Sequence, residues 1–186
     1  MIDFSFLNDR PIVVALAGSN GAGKTTFFES HLTETGLRFV NADELAVELK
    51  LGPYEAADIA DAVRRALVSR RESFVFETVL SDPVGEKIQF LADTADSGFQ
   101  VVLIYIRIAD VATSIQRVSM RVSQGGHDIP DDKLHARFGR TADNLKRATE
   151  RLPQVLVFDN SDLSQPFRLA EIWEHGDRVD VDDNRP

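Results

Sequence analysis

The chain has 186 residues, 43% of them hydrophobic and 27% charged, and 30 acidic against 21 basic side chains give a formal charge of −9 at pH 7. Those values suit one ordinary globular domain able to bury its own core, and the negative charge argues against general nucleic-acid binding. The absence of cysteine excludes disulfides, thiolate nucleophiles, Cys-ligated zinc and iron–sulfur clusters.

Met1 to Arg10 lacks the basic segment, apolar run and cleavage site of an export signal. No later run approaches the roughly 20 apolar residues of a membrane-spanning helix. A cytoplasmic protein without membrane contact is expected. Ile12 to Ala17 reads as the first strand. The following Gly18-Ser19-Asn20-Gly21-Ala22-Gly23-Lys24-Thr25 matches GxxxxGK[ST], and a helix-compatible stretch opens with Thr25-Thr26-Phe27-Phe28. In that context the glycines let backbone amides surround a phosphate and the helix N-terminus adds a favourable dipole. Lys24 brings a point charge to the β- and γ-phosphates, and Thr25 is the expected magnesium ligand. ATP and Mg²⁺ are therefore expected.

Leu37 to Val40 forms a second strand, and Asp43 follows it at the strand end that lies on the same sheet edge as the phosphate loop. Asp43 suits a base or substrate contact, with helix capping by Asn41 or Asp43 as the other reading. Ala57 to Arg70 carries Ile59, Val63, Ala66 and Leu67 at helical spacing, with Arg64, Arg65, Arg70 and Arg71 assigned to the wet side. Phe74 to Phe76 is a third strand ending in Glu77, which is suited to substrate hydroxyls, to a magnesium-bound water, or to pairing with an arginine. Thr78 and Ser81 add hydroxyls there.

Glu86 to Asp96 reads as a helix and Val101 to Ile106 as the fourth strand. That strand runs into Arg107 and not into Asp-Glu, which removes an ABC-type ATPase. The chain also has no guanine-reading Asn-Lys-x-Asp. A small-molecule or nucleotide kinase remains. Arg117 and Arg121 share a helix face, and Arg137 and Arg140 share another on a helix over Lys133 to Leu152. Gly125-Gly126-His127 lies between the two helices. This pair of helices suits a lid over about 117–140 that brings guanidinium groups, Arg121 foremost, onto the γ-phosphate. Val155 to Phe158 is the fifth strand, after which Asn160 either contacts adenine or builds a strand-ending turn. The division is one domain over 1–173 and an acidic, loosely ordered tail over 174–186.

Taken together, GSNGAGKTTF, FVNADELA, FVFETVLS, RVSMRVSQGGHDIP with its arginine-rich helix, and VFDNS resemble the zeta toxin family of P-loop kinases, over roughly Ile12 to Ser161. The resemblance implies an α/β fold with a five-stranded parallel sheet of order 2-3-1-4-5, helices on both faces and a helical lid. It also implies phosphorylation of a UDP-N-acetyl amino sugar such as UDP-N-acetylglucosamine, and an antitoxin protein as partner. By it, Lys24 and Thr25 take the phosphate and magnesium roles, Asp43 the catalytic base, Glu77 the third-strand carboxylate and Arg121 the lid arginine. The family's acidic residue in the preceding helix falls on Asp61. Larger members carry an arginine soon after the third-strand glutamate, where this chain has Thr78-Val79-Leu80-Ser81. His127 stands at the position that resembles their second lid arginine. A matching transfer centre with an altered acceptor pocket is the expectation. Kinases for another hydroxyl (antibiotic, sugar or nucleoside) and a nucleotide-dependent binding or switch ATPase stay open as alternatives.

Overall fold

Strands that are apolar on both faces must be covered on both faces, and the five apolar runs follow that rule. The structure, a computed structural model, describes residue 7 and residues 10–123 and 129–181. Strands β1 (Ile12–Gly18), β2 (Arg38–Val40), β3 (Phe74–Thr78), β4 (Gln100–Arg107) and β5 (Gln154–Asp159) pair in parallel in the order β2-β3-β1-β4-β5. On one face Val13, Ala15, Phe74, Phe76, Leu103 and Val157 join a core, and on the other Val14, Leu16, Val75, Ile104 and Phe158 join a second.

Helices cover these faces. The phosphate-loop helix α1 (Lys24–Phe27) widens into a π turn over Phe28–Leu32 and closes in a 3₁₀ turn over Thr33–Thr35. It buries Phe27 and Leu32 in the second core. The first core takes Ala60 and Leu67 of α3 (Pro53–Ser69), Ile88 and Leu91 of α4 (Glu86–Asp96) and Ala148 of α6 (Asp131–Arg151). Helix α3 begins four residues earlier than its apolar spacing predicts, because Pro53 occupies its first turn and Glu55 reaches back to accept the Gly52 N–H at 3.1 Å. The short α2 (Ala42–Leu49) follows β2, and α5 (Val111–Ser123) follows β4.

Two expectations change. The sheet has seven strands and is mixed, since β6 (Arg168–Glu174) pairs antiparallel with β5 and β7 (Asp177–Val179) antiparallel with β6. The reason is the burial of β5, an apolar strand that would otherwise be an open edge. The return is made by RLAEIWE, which is too polar to announce a strand. The segment expected to be a loose tail therefore contributes β7, through a His175-Gly176 turn with φ of 51° and 93°, the two positive values that a tight primed hairpin requires. His127, with Gly125-Gly126, lies outside the described residues. Among the described residues no helix is long and apolar enough to cross a membrane.

Candidate active site

The ends of β1, β2 and β3 bring their loops to one edge of the sheet, where a strand-to-loop switch places ligands in α/β folds. A cleft of ≈ 430 Å³ opens there, lined by Asn20, Gly21 and Lys24 of the phosphate loop, by Asp43, and by Glu77 with Thr78. A larger hollow of ≈ 770 Å³ lies at the opposite edge, around Gln100 and Gln154 where β4 and β5 begin, and holds none of the predicted site residues.

The loop is shaped by what surrounds it. Gly18, Gly21 and Gly23 have φ of 147°, 72° and 94°, and a Cβ on Gly23 would stand 2.7 Å from Asn160 Nδ2. Three successive loop carbonyls are held by donors from elsewhere in the chain. Ser114 Oγ donates to Asn20 O at 2.7 Å, Arg117 Nη1 to Gly21 O at 3.3 Å, and Asn160 Nδ2 to Ala22 O at 2.8 Å. Engaging the carbonyls on the outside leaves the loop amides for an anion. Buried Ser19 accepts from the Ala22 N–H at 3.2 Å and from Lys24 Nζ at 3.1 Å. Thr26 is exposed on the first helical turn.

Glu77 is the hub. Its Oε1 lies 3.6 Å from Lys24 Nζ, and its Oε2 accepts from Thr25 Oγ1 at 2.8 Å and from Asn41 Nδ2 at 3.4 Å. It thus pairs with the phosphate-loop lysine, where the sequence left an arginine open. Asn41, not Asp43, caps α2, its Oδ1 accepting the Asp43 N–H at 2.9 Å. Asp43 stands exposed in the cleft wall with its carboxylate spared that duty. Nearby Glu44 is raised above its ordinary carboxylate range, by burial first and then by the charge of Glu77.

The arginines divide. Arg121 and Arg137 line the cleft. Arg117 is committed to Gly21 O and, at 2.9 Å, to Asn160 O. Arg140 Nε donates to Ser81 O at 2.7 Å. Both brace backbone in this structure. Asn160 is buried, 4% exposed, and its amide is spent on the phosphate loop. Thr78 lines the cleft while its Oγ1 accepts the Leu80 N–H at 3.2 Å.

Asp61 is not part of the cleft lining. Its carboxylate is taken by Lys87 Nζ at 2.7 and 2.9 Å and by Arg64, and those two cations line the cleft with Tyr54 and Lys133. Arg64, assigned to the wet side of its helix, is instead 5% exposed, with its guanidinium 4.8 Å over the Phe76 ring. Periodicity missed it because a long side chain on the flank of a helix can fold under into an aromatic neighbour. The Asp61–Arg64 spacing of three was the one signal available.

A family model for zeta toxins matches residues 52–168, more than half of the chain. The chain belongs to the zeta toxin family. An uncharacterized protein of Haemophilus influenzae is 31% identical over 127 residues, covering 65% of this chain and 88% of that protein. Among solved structures, the AvrRxo1-ORF1:-ORF2 complex with ATP matches with a TM-score of 0.65 at 18% identity over 91% of this chain, which spans 60% of the length of that one. The PezAT toxin–antitoxin system of Streptococcus pneumoniae gives 0.60 at 19%, over 81% of this chain and 69% of its counterpart. Shikimate kinase from Acinetobacter baumannii gives 0.53 at 16%, over 77% of this chain and 83% of the enzyme. At these identities the structural likenesses establish the fold, that of P-loop kinases. This zeta toxin family member carries its phosphate loop outside the matched segment.

Proposed function

We propose that this chain is an ATP- and Mg²⁺-dependent kinase that transfers the γ-phosphate of ATP to a hydroxyl of a small metabolite. UDP-N-acetylglucosamine is the acceptor to test first. The reading rests on Lys24, Thr25 and Glu77 meeting at the phosphate loop with Asp43 in the same cleft. The Thr25 hydroxyl and Glu77 carboxylate are hard oxygen donors of the kind that hold magnesium together with substrate phosphates. Magnesium bound there would neutralise charge on the β- and γ-phosphates. Lys24 holds the terminal phosphates, and Arg121 adds positive charge as the transferring group separates. Asp43 orients the acceptor hydroxyl and takes its proton as the oxygen bonds to the γ-phosphorus. The bond to the bridging oxygen then breaks, and ADP leaves with that electron pair.

Two of the similar structures involve a second protein, and an antitoxin-type partner that covers the cleft is part of the proposal. The enzymatic test incubates the protein with ATP, Mg²⁺ and a panel of UDP-sugars, and identifies products by mass spectrometry. A phosphorylated UDP-N-acetyl sugar is expected from the unaltered chain and none from Lys24→Ala. Asp43→Asn should lose about 10²- to 10⁴-fold in turnover while keeping its affinity for a non-hydrolysable ATP analogue. Near-normal turnover of Asp43→Asn would remove the base assignment. UDP-sugars returned unchanged would point to another hydroxyl acceptor or, if no acceptor is phosphorylated at all, to a nucleotide-dependent switch.

A further inference from the structure

We infer that Arg64 and Lys87, held side by side by Asp61, form a subsite for an anionic group of the acceptor, a phosphate or carboxylate distinct from the phosphate being transferred. The inference rests on the kinase reading above and names the residues that select its acceptor. Helix α3 supplies Asp61 and Arg64 one turn apart, and α4 supplies Lys87, whose Nζ lies 2.7 Å from Asp61 Oδ1. One carboxylate is thus shared by two cations, and the two cations, not the carboxylate, form cleft wall.

That charge is held at a cost. Burial first, and then Arg65, lowers the Arg64 guanidinium to about 10. Burial and then Arg64 lower the Lys87 ammonium, although Asp82 and Glu86 act in the opposite sense. A partly desolvated cation pair whose one directly bound carboxylate is shared between both members favours further negative charge beside it. The rest of the cleft does not bring it. Among the described residues its basic lining is Lys24, Arg64, Lys87, Arg121, Lys133 and Arg137, and its acidic lining is Asp43 and Glu77, in a chain whose net charge is −9. Lys24 and Glu77 are engaged with each other at the phosphate loop, and Asp43 is the proposed base. Asp61 offsets one of the charges of Arg64 and Lys87, and the positive charge that is left, with Lys133 and Arg137 in the same lining, is assigned to the acceptor. A planar guanidinium beside an ammonium matches an oxyanion.

The test saturates the phosphate loop with Mg²⁺ and a non-hydrolysable ATP analogue and follows the Arg64 Nε–Hε signal by NMR during separate titrations with inorganic phosphate and acetate. At least one anion should move the signal saturably, phosphate alone indicating a phosphorylated acceptor and acetate also a carboxylate. Lys87→Met, which keeps the aliphatic stem, should weaken that response by about tenfold or more, and Lys87→Arg should restore it. Neither substitution should change affinity for the ATP analogue. A wild-type signal that neither anion moves, or a response equally strong in Lys87→Met, overturns the inference. Failure of the kinase reading would look different, as absent phosphoryl transfer with the Arg64 response intact.

Discussion

The phosphate loop depends on single atoms. Gly23 combines a φ of 94° with a would-be Cβ 2.7 Å from the amide nitrogen of Asn160. That amide cannot swing away freely, because it donates to Ala22 O and Asn160 is buried. Gly23→Ala should therefore cost about 1–3 kcal/mol in urea denaturation, since backbone strain and a displaced buried hydrogen bond add. It should also abolish nucleotide binding in a titration with an ATP analogue. Unchanged stability would mean that Asn160 is not the brace assigned to it. The loop motif was legible in the residues themselves, but its bracing by Ser114, Arg117 and Asn160 was not. Those residues lie some 90 to 140 positions farther along the chain, and no local pattern marks a hydroxyl or amide that donates across the fold.

At the scale of elements, α6 is fastened to the loop that follows β3. Thr141 Oγ1 donates to Val79 O at 3.1 Å, and Asn144 Nδ2 donates to Leu80 O at 2.9 Å and to Asp82 O at 2.8 Å. Thr141 and Asn144 are 0% and 1% exposed, and Leu80 takes a φ of 58° that a leucine rarely adopts. This clamp holds the cleft-lining Thr78, Val79 and Ser81 in place and sets part of α6 as a fixed wall, even though its first turns carry Lys133 and Arg137. Asn144→Ala leaves two carbonyls without their donor. It should cost about 1–3 kcal/mol in chemical denaturation and raise the KM for acceptor more than that for ATP. Equal effects on both substrates would show that the clamp supports the domain generally and not the acceptor wall.

For the molecule as a whole, the added hairpin decides whether the parallel core is self-sufficient. Strand β5 is buried through Val155, Leu156, Val157 and Phe158, and β6 covers its outer edge while Ile172 and Trp173 join the two cores. A chain ended at Ser161 keeps every proposed site residue and exposes that edge, and losing two such side chains removes about 2–3 kcal/mol each. It should aggregate in light scattering, and a soluble monomer would contradict this account. What the sequence determined by itself was everything carried by near neighbours in the chain. The five apolar runs, the helix periods and the loop motif act within one element, so their physics is local. Asp43 and Glu77 could be placed at strand ends for the same reason. Only the tertiary structure decided that Asn41 caps α2, that Arg64 lies under its helix against Phe76, that Asp61 serves two cations, and that a polar segment closes the sheet. The cap is a local choice between two readings the residues both allowed, and the other three follow from burial and long-range pairing, where a residue's role depends on which distant side chain or strand edge must be satisfied.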